Sequence, residues 1–390
     1  MPGLDYDRLD AVGLAERIAA GELSPLEAVE AAIARIEERD SQLNAVVHRS
    51  FERAREQARG ELPSGPLRGV PFLLKDLHAE DAGQPCTGSS RLLADFVAPE
   101  DSELVRRYKR AGLVILGRTN TPEFGIYGVT ESELRGPCRN PWDPSRTPGG
   151  SSGGAAAAVA ARMVPAAQGG DGGGSIRIPA AHCGLVGLKP TRARTPLGPF
   201  AAEGWAGFVC LHALTRSVRD SALLLDVAQG PDLGAPYEVR PPARPFREEV
   251  GADPGRLRIA LCTEALFGRE THPECVRAAE EAAALAEELG HEVTPAKPDF
   301  SKEALVKAYL TMVATSVAVD VRRAGELVGR TPRPSDVEKP TWLLKLIGEK
   351  LSAAEYLWER DLIHAEARRV AAFFEDYDVL LTPTAALPPL

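Results

Sequence analysis

Two serines lie in the most glycine-rich part of the chain. Ser151 is in the run Gly-Gly-Ser-Ser-Gly-Gly, and Ser175 follows three consecutive glycines, residues 172–174. Glycine is the residue that loses most conformational entropy on folding, and proteins use it where φ is positive or where the backbone approaches another group closely. Consecutive backbone amides beside a hydroxyl can form a concave site for an oxyanion. The pattern therefore predicts that Ser175 is an attacking nucleophile.

A serine nucleophile needs a base, and a histidine is the usual one. Residues 150–154 read Gly-x-Ser-x-Gly, which is the nucleophile elbow of α/β-hydrolases. That elbow requires a strand directly before the serine, and Pro144 and Pro148 argue against a central strand there. His182, seven residues after Ser175, is a second candidate, and a structural hydrogen-bonding role fits it better.

Lys75 offers the alternative base, in a Ser-Lys arrangement. It ends the apolar run 70–74, so the sequence predicts a buried strand with a lysine at its end. Burial disfavours the charged form of an amine, and a neutral lysine can accept a proton. Taken alone, Lys75 could also pair with Asp76 or extend its ammonium to solvent. The remaining motifs favour the base.

Composition and charge exclude several classes of function. The chain has 390 residues, 44% of them hydrophobic and 26% charged, and a formal net charge of −9. Because it has no run of basic residues, direct binding of nucleic acid is not expected. The six cysteines form no Cys-x-x-Cys pair and the seven histidines no His-x-x-x-His spacing, so neither a metal nor another cofactor is expected.

Targeting signals are also missing from the sequence pattern. Residues 1–5 lack the basic and apolar regions of a signal peptide, and no stretch approaches 18 consecutive apolar residues. We therefore expect a cytoplasmic protein with reduced thiols and no membrane partner.

Strand and helix patterns alternate along the chain. Ser24-Pro25-Leu26-Glu27 has the features of a capping box and predicts a helix to about Arg39. Strands are predicted at 44–47, 70–74, 113–116, 163–167, 257–262, 291–294 and 379–381, and helices at 51–59, 101–111, 155–162, 273–289, 301–328 and 353–374. This alternation predicts an α/β fold with a mostly parallel or mixed sheet.

Five segments match a known family in order and spacing. They are residues 70–76, 117–124, 139–142, 149–154 and 171–191. On these motifs the chain resembles the amidase signature enzymes, and weaker resemblance extends from the N-terminal helix to residues 382–384. It implies one layered α/β domain over residues 1–390, with core motifs in 70–191 and a mixed central β-sheet flanked by helices on both faces. Relatives continue well beyond the 382–384 segment, so a missing C-terminal segment is expected.

The resemblance also implies roles for the residues singled out above. By it, Lys75 is the base, Ser151 is a bridging serine that follows a cis peptide bond, and Ser175 is the nucleophile. Backbone N–H groups of the three glycines before the nucleophile would form the oxyanion hole; these are Gly172, Gly173 and Gly174. Family members commonly carry Thr or Ile where this chain has Gly172.

Other residues are implied as supports or as pocket walls. Asp171 and Arg177 resemble residues that orient the loop before the nucleophile. Ser152 either hydrogen-bonds within the loop or caps the following helix, and capping is the preferred interpretation. Three residues match a stretch that lines the acyl pocket in relatives, namely Gly125, Ile126 and Tyr127.

The function implied is hydrolysis of a small-molecule carboxamide through a covalent acyl-enzyme. Residues 71–77, 216–220 and 325–330 are most similar to the branch that includes the nylon-oligomer cyclic dimer hydrolase. Two alternatives stay open: a subunit of a tRNA-dependent amidotransferase, and a catalytically idle relative with a short C-terminus. The amidotransferase branch usually has Gln where this chain has Ile178. A homodimer is a reasonable expectation for a soluble oligomer.

Overall fold

The protein is described by a computed structural model that covers residues 6–266 and 270–390. The chain divides into two compact units: one contains the residues up to Val250 together with Arg322–Thr341, and the other contains Gly251–Val321 together with Trp342–Leu390. The prediction of a single domain over 1–390 stays a prediction. Residues 1–5, on which the absence of a signal peptide was argued, lie outside the described residues.

Strands and helices alternate as predicted. The strands are β1 (Val46–Arg49), β2 (Pro71–Lys75), β3 (Val114–Thr119), β4 (Glu131–Ser132), β5 (Gly136–Pro137), β6 (Ala166–Asp171), β7 (Val186–Gly187), β8 (Cys210–Thr215), β9 (Arg258–Leu261), β10 (Glu292–Pro295) and β11 (Val379–Leu381). The α-helices are α1 (Ala11–Ala19), α2 (Pro25–Leu43), α3 (Phe51–Arg59), α4 (Glu103–Arg110), α5 (Gly153–Ala160), α6 (Arg177–Cys183), α7 (Val218–Ala228), α8 (Pro273–Glu288), α9 (Lys302–Leu327), α10 (Lys339–Lys350) and α11 (Ala353–Phe373). Short 3₁₀ turns lie at Tyr6–Arg8, Arg91–Leu93, Glu123–Gly125, Phe246–Glu248 and Pro334–Asp336.

A six-stranded mixed sheet forms the centre of the larger unit, which confirms the α/β prediction. Its strand order is β1-β3-β2-β6-β8-β7. The central strands β3, β2 and β6 are parallel, while β1, β8 and β7 run antiparallel to their neighbours. Parallel strands place their carboxyl ends at one edge of a sheet, which is where ligands bind in open α/β sheets. Lys75 ends β2 and Asp171 ends β6, so both lie at that edge.

Local sequence signals predicted the N-terminal helices well. The capping box at Ser24 is present in full, since its hydroxyl accepts from Glu27 N–H and the Glu27 carboxylate accepts from Ser24 N–H. Helix α2 runs four residues further than predicted, to Leu43, where Asn44 ends it in the left-handed conformation. The strand predicted at 163–167 is wrong in register, because residue 163 still closes the helix through a bond from Met163 N–H to Ala158.

The smaller unit has a three-stranded parallel sheet of order β10-β9-β11. Arg258 and Asp378 tie β9 to the start of β11 through an ion pair with N–O distance 2.9 Å. Among the described residues, α9 is long and apolar enough to cross a membrane by length and composition, a criterion that core helices of soluble proteins also meet.

Helix α5 carries Ser151 and Ser152 at its N-terminal end and is buried along most of its length. Its approach to the sheet depends on a glycine. A β-carbon at position 154 would lie 2.3 Å from the Asn120 nitrogen and 2.7 Å from the Ala45 carbonyl oxygen, closer than real β-carbons come. Because backbone atoms cannot move aside as a flexible side chain can, Gly154 sets the distance at which the two serines are held.

We expect Gly154→Ala to destabilise the protein. Helix propensity alone would stabilise it by about 1 kcal/mol. The collision with backbone should outweigh this and lower the free energy of unfolding by about 1–3 kcal/mol, as overpacking does. Denaturant unfolding of this variant and of Gly60→Ala, where a β-carbon would make only ordinary contacts, measures the difference. A Gly154→Ala protein at least as stable as the wild type would contradict the packing argument.

Candidate active site

Lys75 lies at the carboxyl end of β2 and is only 2% exposed. Its Nζ is 2.6 Å from Ser151 Oγ, within hydrogen-bond distance. The two alternatives for this lysine are not observed: the side chain does not reach solvent, and the neighbouring Asp76 carboxylate instead accepts hydrogen bonds from the Thr87 N–H at 2.8 Å and the Thr87 hydroxyl. The structure thus places the amine against one of the two predicted serines.

The charge of Lys75 is set mainly by burial. Desolvation lowers the pKa of its amine from 10.5 to about 7, and the negative charge of Asp171 acts in the opposite direction. Removing an ammonium from water is costly, so the neutral form gains where no partner neutralises it. At pH values above about 7 the amine is mainly uncharged and can accept a proton.

Two buried side chains fix the backbone of Lys75. Its N–H donates to Gln168 Oε1 at 3.0 Å, and its carbonyl accepts from Arg118 Nη1 at 3.0 Å. Gln168 is fully buried and Arg118 is 2% exposed. Neither residue was singled out from the sequence, although an arginine inside the apolar strand β3 is an unusual residue that could have attracted attention.

Ser151 is 2% exposed, and the Gly150–Ser151 peptide bond is cis. The backbone around Gly150 is closely packed, because a β-carbon there would lie 2.5 Å from the Val129 carbonyl oxygen. No strand directly precedes Ser151 in the described chain, which agrees with the rejection of a nucleophile elbow. A β-carbon at Gly125 would lie 3.1 Å from Ser151 Oγ, so this predicted pocket residue is beside the serine.

Ser175 is half-buried and lies next to the Ser151 segment. The Ser152 N–H donates to the Ser175 carbonyl at 3.1 Å, which joins the two serine-containing loops through their backbones. Within the described residues no hydrogen bond joins the hydroxyls of Ser151 and Ser175. The structure therefore brings all three predicted catalytic residues together, with one direct side-chain contact between Lys75 and Ser151.

Asp171 and Arg177 hold the loop before Ser175. The Asp171 carboxylate accepts from Arg177 Nε at 2.8 Å and Nη2 at 2.9 Å, and from the backbone N–H groups of Gly174 at 2.7 Å and Ile176 at 3.2 Å. Burial alone would raise the pKa of this carboxyl, but Arg177 and the loop amides hold it below its ordinary value. Since Asp171 is fully buried, it stays ionised because these donors surround it.

Two sequence interpretations need correction in this loop. Gly174 was predicted to offer its amide to an oxyanion, but that N–H is already bonded to Asp171. Ser152 was predicted to cap α5, but its side chain makes no capping bond and instead exchanges hydrogen bonds of 3.3 Å with the backbone of Gly170. The hydroxyl therefore ties the first serine loop to strand β6.

His182 does not have the hydrogen-bonding role that the sequence suggested. Both of its ring nitrogens are shielded from solvent and lack a partner among the described residues, and burial lowers the pKa of the imidazole. The ring lies against Gly149, where a β-carbon would be 3.1 Å from Nδ1. It packs against the loop of Ser151.

The remaining pocket residues border the same loop. The Tyr127 carbonyl oxygen would lie 2.7 Å from a β-carbon at Gly150, and Ile126 is half-buried next to it in sequence. The Tyr127 hydroxyl is shielded from solvent without a partner in the described part of the chain, and burial raises its pKa. Among residues 6–266 and 270–390, no cluster of three or more His, Cys, Asp or Glu residues is arranged to hold a metal ion.

Comparison with known proteins gives consistent matches over nearly the whole chain. The family model "Amidase" matches residues 27–390. A 6-aminohexanoate-cyclic-dimer hydrolase of Pseudomonas sp. (strain NK87) is 39% identical over 382 residues, 96% of this chain and 77% of the relative. An acylamidase of Rhodococcus erythropolis is 37% identical over 97% of this chain and 79% of its own. The structure of a substrate-complexed 6-aminohexanoate cyclic dimer hydrolase superposes with a TM-score of 0.91 at 38% identity, covering 96% and 78% of the two chains.

Proposed function

The chain belongs to the amidase family and is an amide-bond hydrolase, and from this premise we propose that it acts through a Lys75, Ser151 and Ser175 triad and a covalent acyl-enzyme. The observation that carries the proposal is the contact of 2.6 Å between the buried Lys75 amine and the Ser151 hydroxyl. With its pKa lowered to about 7, this amine is a competent base at neutral pH.

The first step is a relay of two protons. Neutral Lys75 accepts the proton of Ser151 as Ser151 takes that of Ser175, and the Ser175 oxygen attacks the amide carbonyl carbon. The C–O bond forms while the carbonyl π electrons move to oxygen, which gives a tetrahedral oxyanion. A relay through Ser151 suits the geometry because the amine lies against that serine and not against Ser175.

The oxyanion needs donors that are not already bonded. Since the Gly174 amide is engaged by Asp171, we assign the role to the N–H groups of Gly173 and Ser175, which make no other hydrogen bond within the described chain. Gly172, the remaining predicted donor, lies at the start of the same loop. Each well-placed donor in such a site contributes about 3 kcal/mol to lowering the barrier. The Asp171 to Arg177 bonds keep the loop in place before substrate binds.

Collapse of the tetrahedral intermediate requires a proton on the leaving nitrogen, because an amide anion is a very poor leaving group. The proton held by Lys75 returns through Ser151 to that nitrogen, the C–N bond breaks, and Ser175 is left acylated. Water then attacks the ester by the same relay and releases the acid. No cofactor takes part in this scheme.

The substrate proposed is a small carboxamide. The relatives named above suggest amides of ω-amino acids and of other aliphatic or aryl acids, and esters are plausible side substrates. The amidotransferase alternative is less well supported, because the hydrolases are at least as similar and Ile178 stands where that branch usually has Gln. Location in the cytoplasm, a homodimeric state, and the lack of nucleic-acid and membrane partners stay predictions.

We expect a fluorophosphonate to label Ser175 of the wild-type protein. The adduct is located by digestion and mass spectrometry, since the reagent reports which hydroxyl has become nucleophilic. Labelling should fall by at least about 100-fold in Lys75→Ala, which removes the base. Trp358→Ala, an exposed substitution on α11, serves as the control for folding and handling.

Labelling of Ser152 in place of Ser175 would contradict the proposed triad. So would a Lys75→Ala protein that folds as the wild type does and is labelled at the same rate. Copurification with a tRNA-binding partner, without amide hydrolysis by the isolated chain, would instead favour the amidotransferase alternative.

Ser151→Ala should impair amides more than esters. An amide needs its leaving nitrogen protonated through Ser151, whereas a 4-nitrophenolate leaves without a proton. We expect kcat/KM to fall at least about tenfold further for a 4-nitroanilide than for the 4-nitrophenyl ester of the same acid, because general acid catalysis contributes factors of about 100 or more. Steady-state kinetics on the matched pair measures this. Equal losses on both substrates would show that Ser151 does not carry the proton.

A further inference from the structure

Gly172 opens the loop that ends at Ser175, at a position where relatives commonly carry a side chain. Its φ lies outside the left-handed region, whereas Gly174 in the same loop has φ of +120°. Any residue could therefore adopt the backbone conformation at 172. The reason for glycine here must be what surrounds the position.

The indole of Trp205 occupies the space that a side chain at 172 would need. A β-carbon at this position would lie 3.1 Å from Trp205 Cε3 and 3.0 Å from Val209 Cγ2. Both distances are tighter than ordinary van der Waals contact, and a threonine would add further atoms in the same direction. The chain thus has a ring from another loop where its relatives have a local side chain.

Strand pairing explains why these two loops meet. In the antiparallel pair of β6 and β8, Asp171 lies opposite Cys210. The loop that follows Asp171 and the turn that precedes Cys210 therefore leave the same end of the sheet side by side. Gly172 and Val209 are the first residues beyond the paired ends, which brings the turn against the oxyanion loop.

The turn that presents the indole has an unusual backbone. Trp205 and Ala206 have φ of +49° and +52°, and Gly207 follows at +84°. The turn is closed by hydrogen bonds of 3.1 Å from the N–H groups of Gly207 and Val209 to the Gly204 carbonyl. Two successive non-glycine residues in the left-handed region are unfavourable, and proteins retain such conformations mainly at functional sites.

We propose that Trp205 is a specificity-determining residue, whose half-buried indole forms the wall of the acyl site beside the oxyanion loop. This rests on the proposed function, because it requires that the loop 172–175 holds the substrate carbonyl. The carbonyl oxygen belongs to the acyl group, so a ring against this loop lies next to that group. A flat indole favours straight polymethylene or aryl acyl groups and excludes branched ones.

The test compares two 4-nitroanilides that differ only in the acyl group, one straight and one branched at the α-carbon. Trp205→Ala should raise the ratio of kcat/KM for the branched over the straight substrate about tenfold, mainly by raising KM for the straight one. Trp205→Phe keeps a ring and should stay closer to the wild type. Trp358→Ala is the matched control and should leave the ratio unchanged.

A double-mutant cycle tests the steric relation between the two positions. Gly172→Thr alone should lower kcat/KM at least about tenfold, and Trp205→Ala should rescue much of that loss, since the threonine then has the space the ring occupied. Gly60→Thr, at a site without close neighbours, controls for the glycine substitution. Additive effects, or an unchanged acyl ratio in Trp205→Ala and Trp205→Phe, would overturn the proposal.

Failure of the proposed function would be seen separately. If Ser175 of the wild-type protein is not labelled by a fluorophosphonate, the catalytic scheme itself is wrong. If Ser175 is labelled equally in the wild type and in Trp205→Ala while the acyl ratio does not change, the scheme stands and the role of Trp205 falls.

Discussion

Burial of the Lys75 amine without a neutralising partner is the constraint on which the rest of the site depends. A buried ammonium is costly, so the amine loses its proton near neutral pH and becomes a base. Asp171 is the carboxylate whose charge acts on it most, and its oxygens are already bonded to Arg177 and to loop amides. The same carboxylate therefore orders the nucleophile loop while it leaves Lys75 unpaired.

Close backbone approach is the second requirement, and glycines meet it at defined places. Gly154 allows α5 to lie against Asn120 and Ala45, and Gly150 allows the Ser151 loop to lie against Val129. A side chain at either place would move Ser151 away from the amine. The same reasoning at Gly172 leads to Trp205, because there too a missing β-carbon is matched by a neighbouring group.

Features that depend on neighbouring residues in sequence were predictable, and features that depend on strand pairing were not. The capping box at Ser24 and the buried strand ending at Lys75 follow from local patterns, and both are present. The bond of Ser152 to Gly170 and the contact of Trp205 with the loop required knowing that β6 pairs with β8, which was absent from the predicted elements. Motif resemblance supplied the family, but it could not show that Asp171 takes the amide of Gly174.

The most direct test of the account is the titration of the Lys75 amine itself. NMR of protein labelled with ¹³C at lysine Cε, assigned with Lys75→Met, reports its protonation as pH changes. The account predicts a midpoint near 7, and a lower one in Asp171→Asn because the Asp171 charge raises the Lys75 pKa. A midpoint near the ordinary lysine value of about 10.4 would contradict it, since the amine would then be charged at neutral pH and unable to take the serine proton.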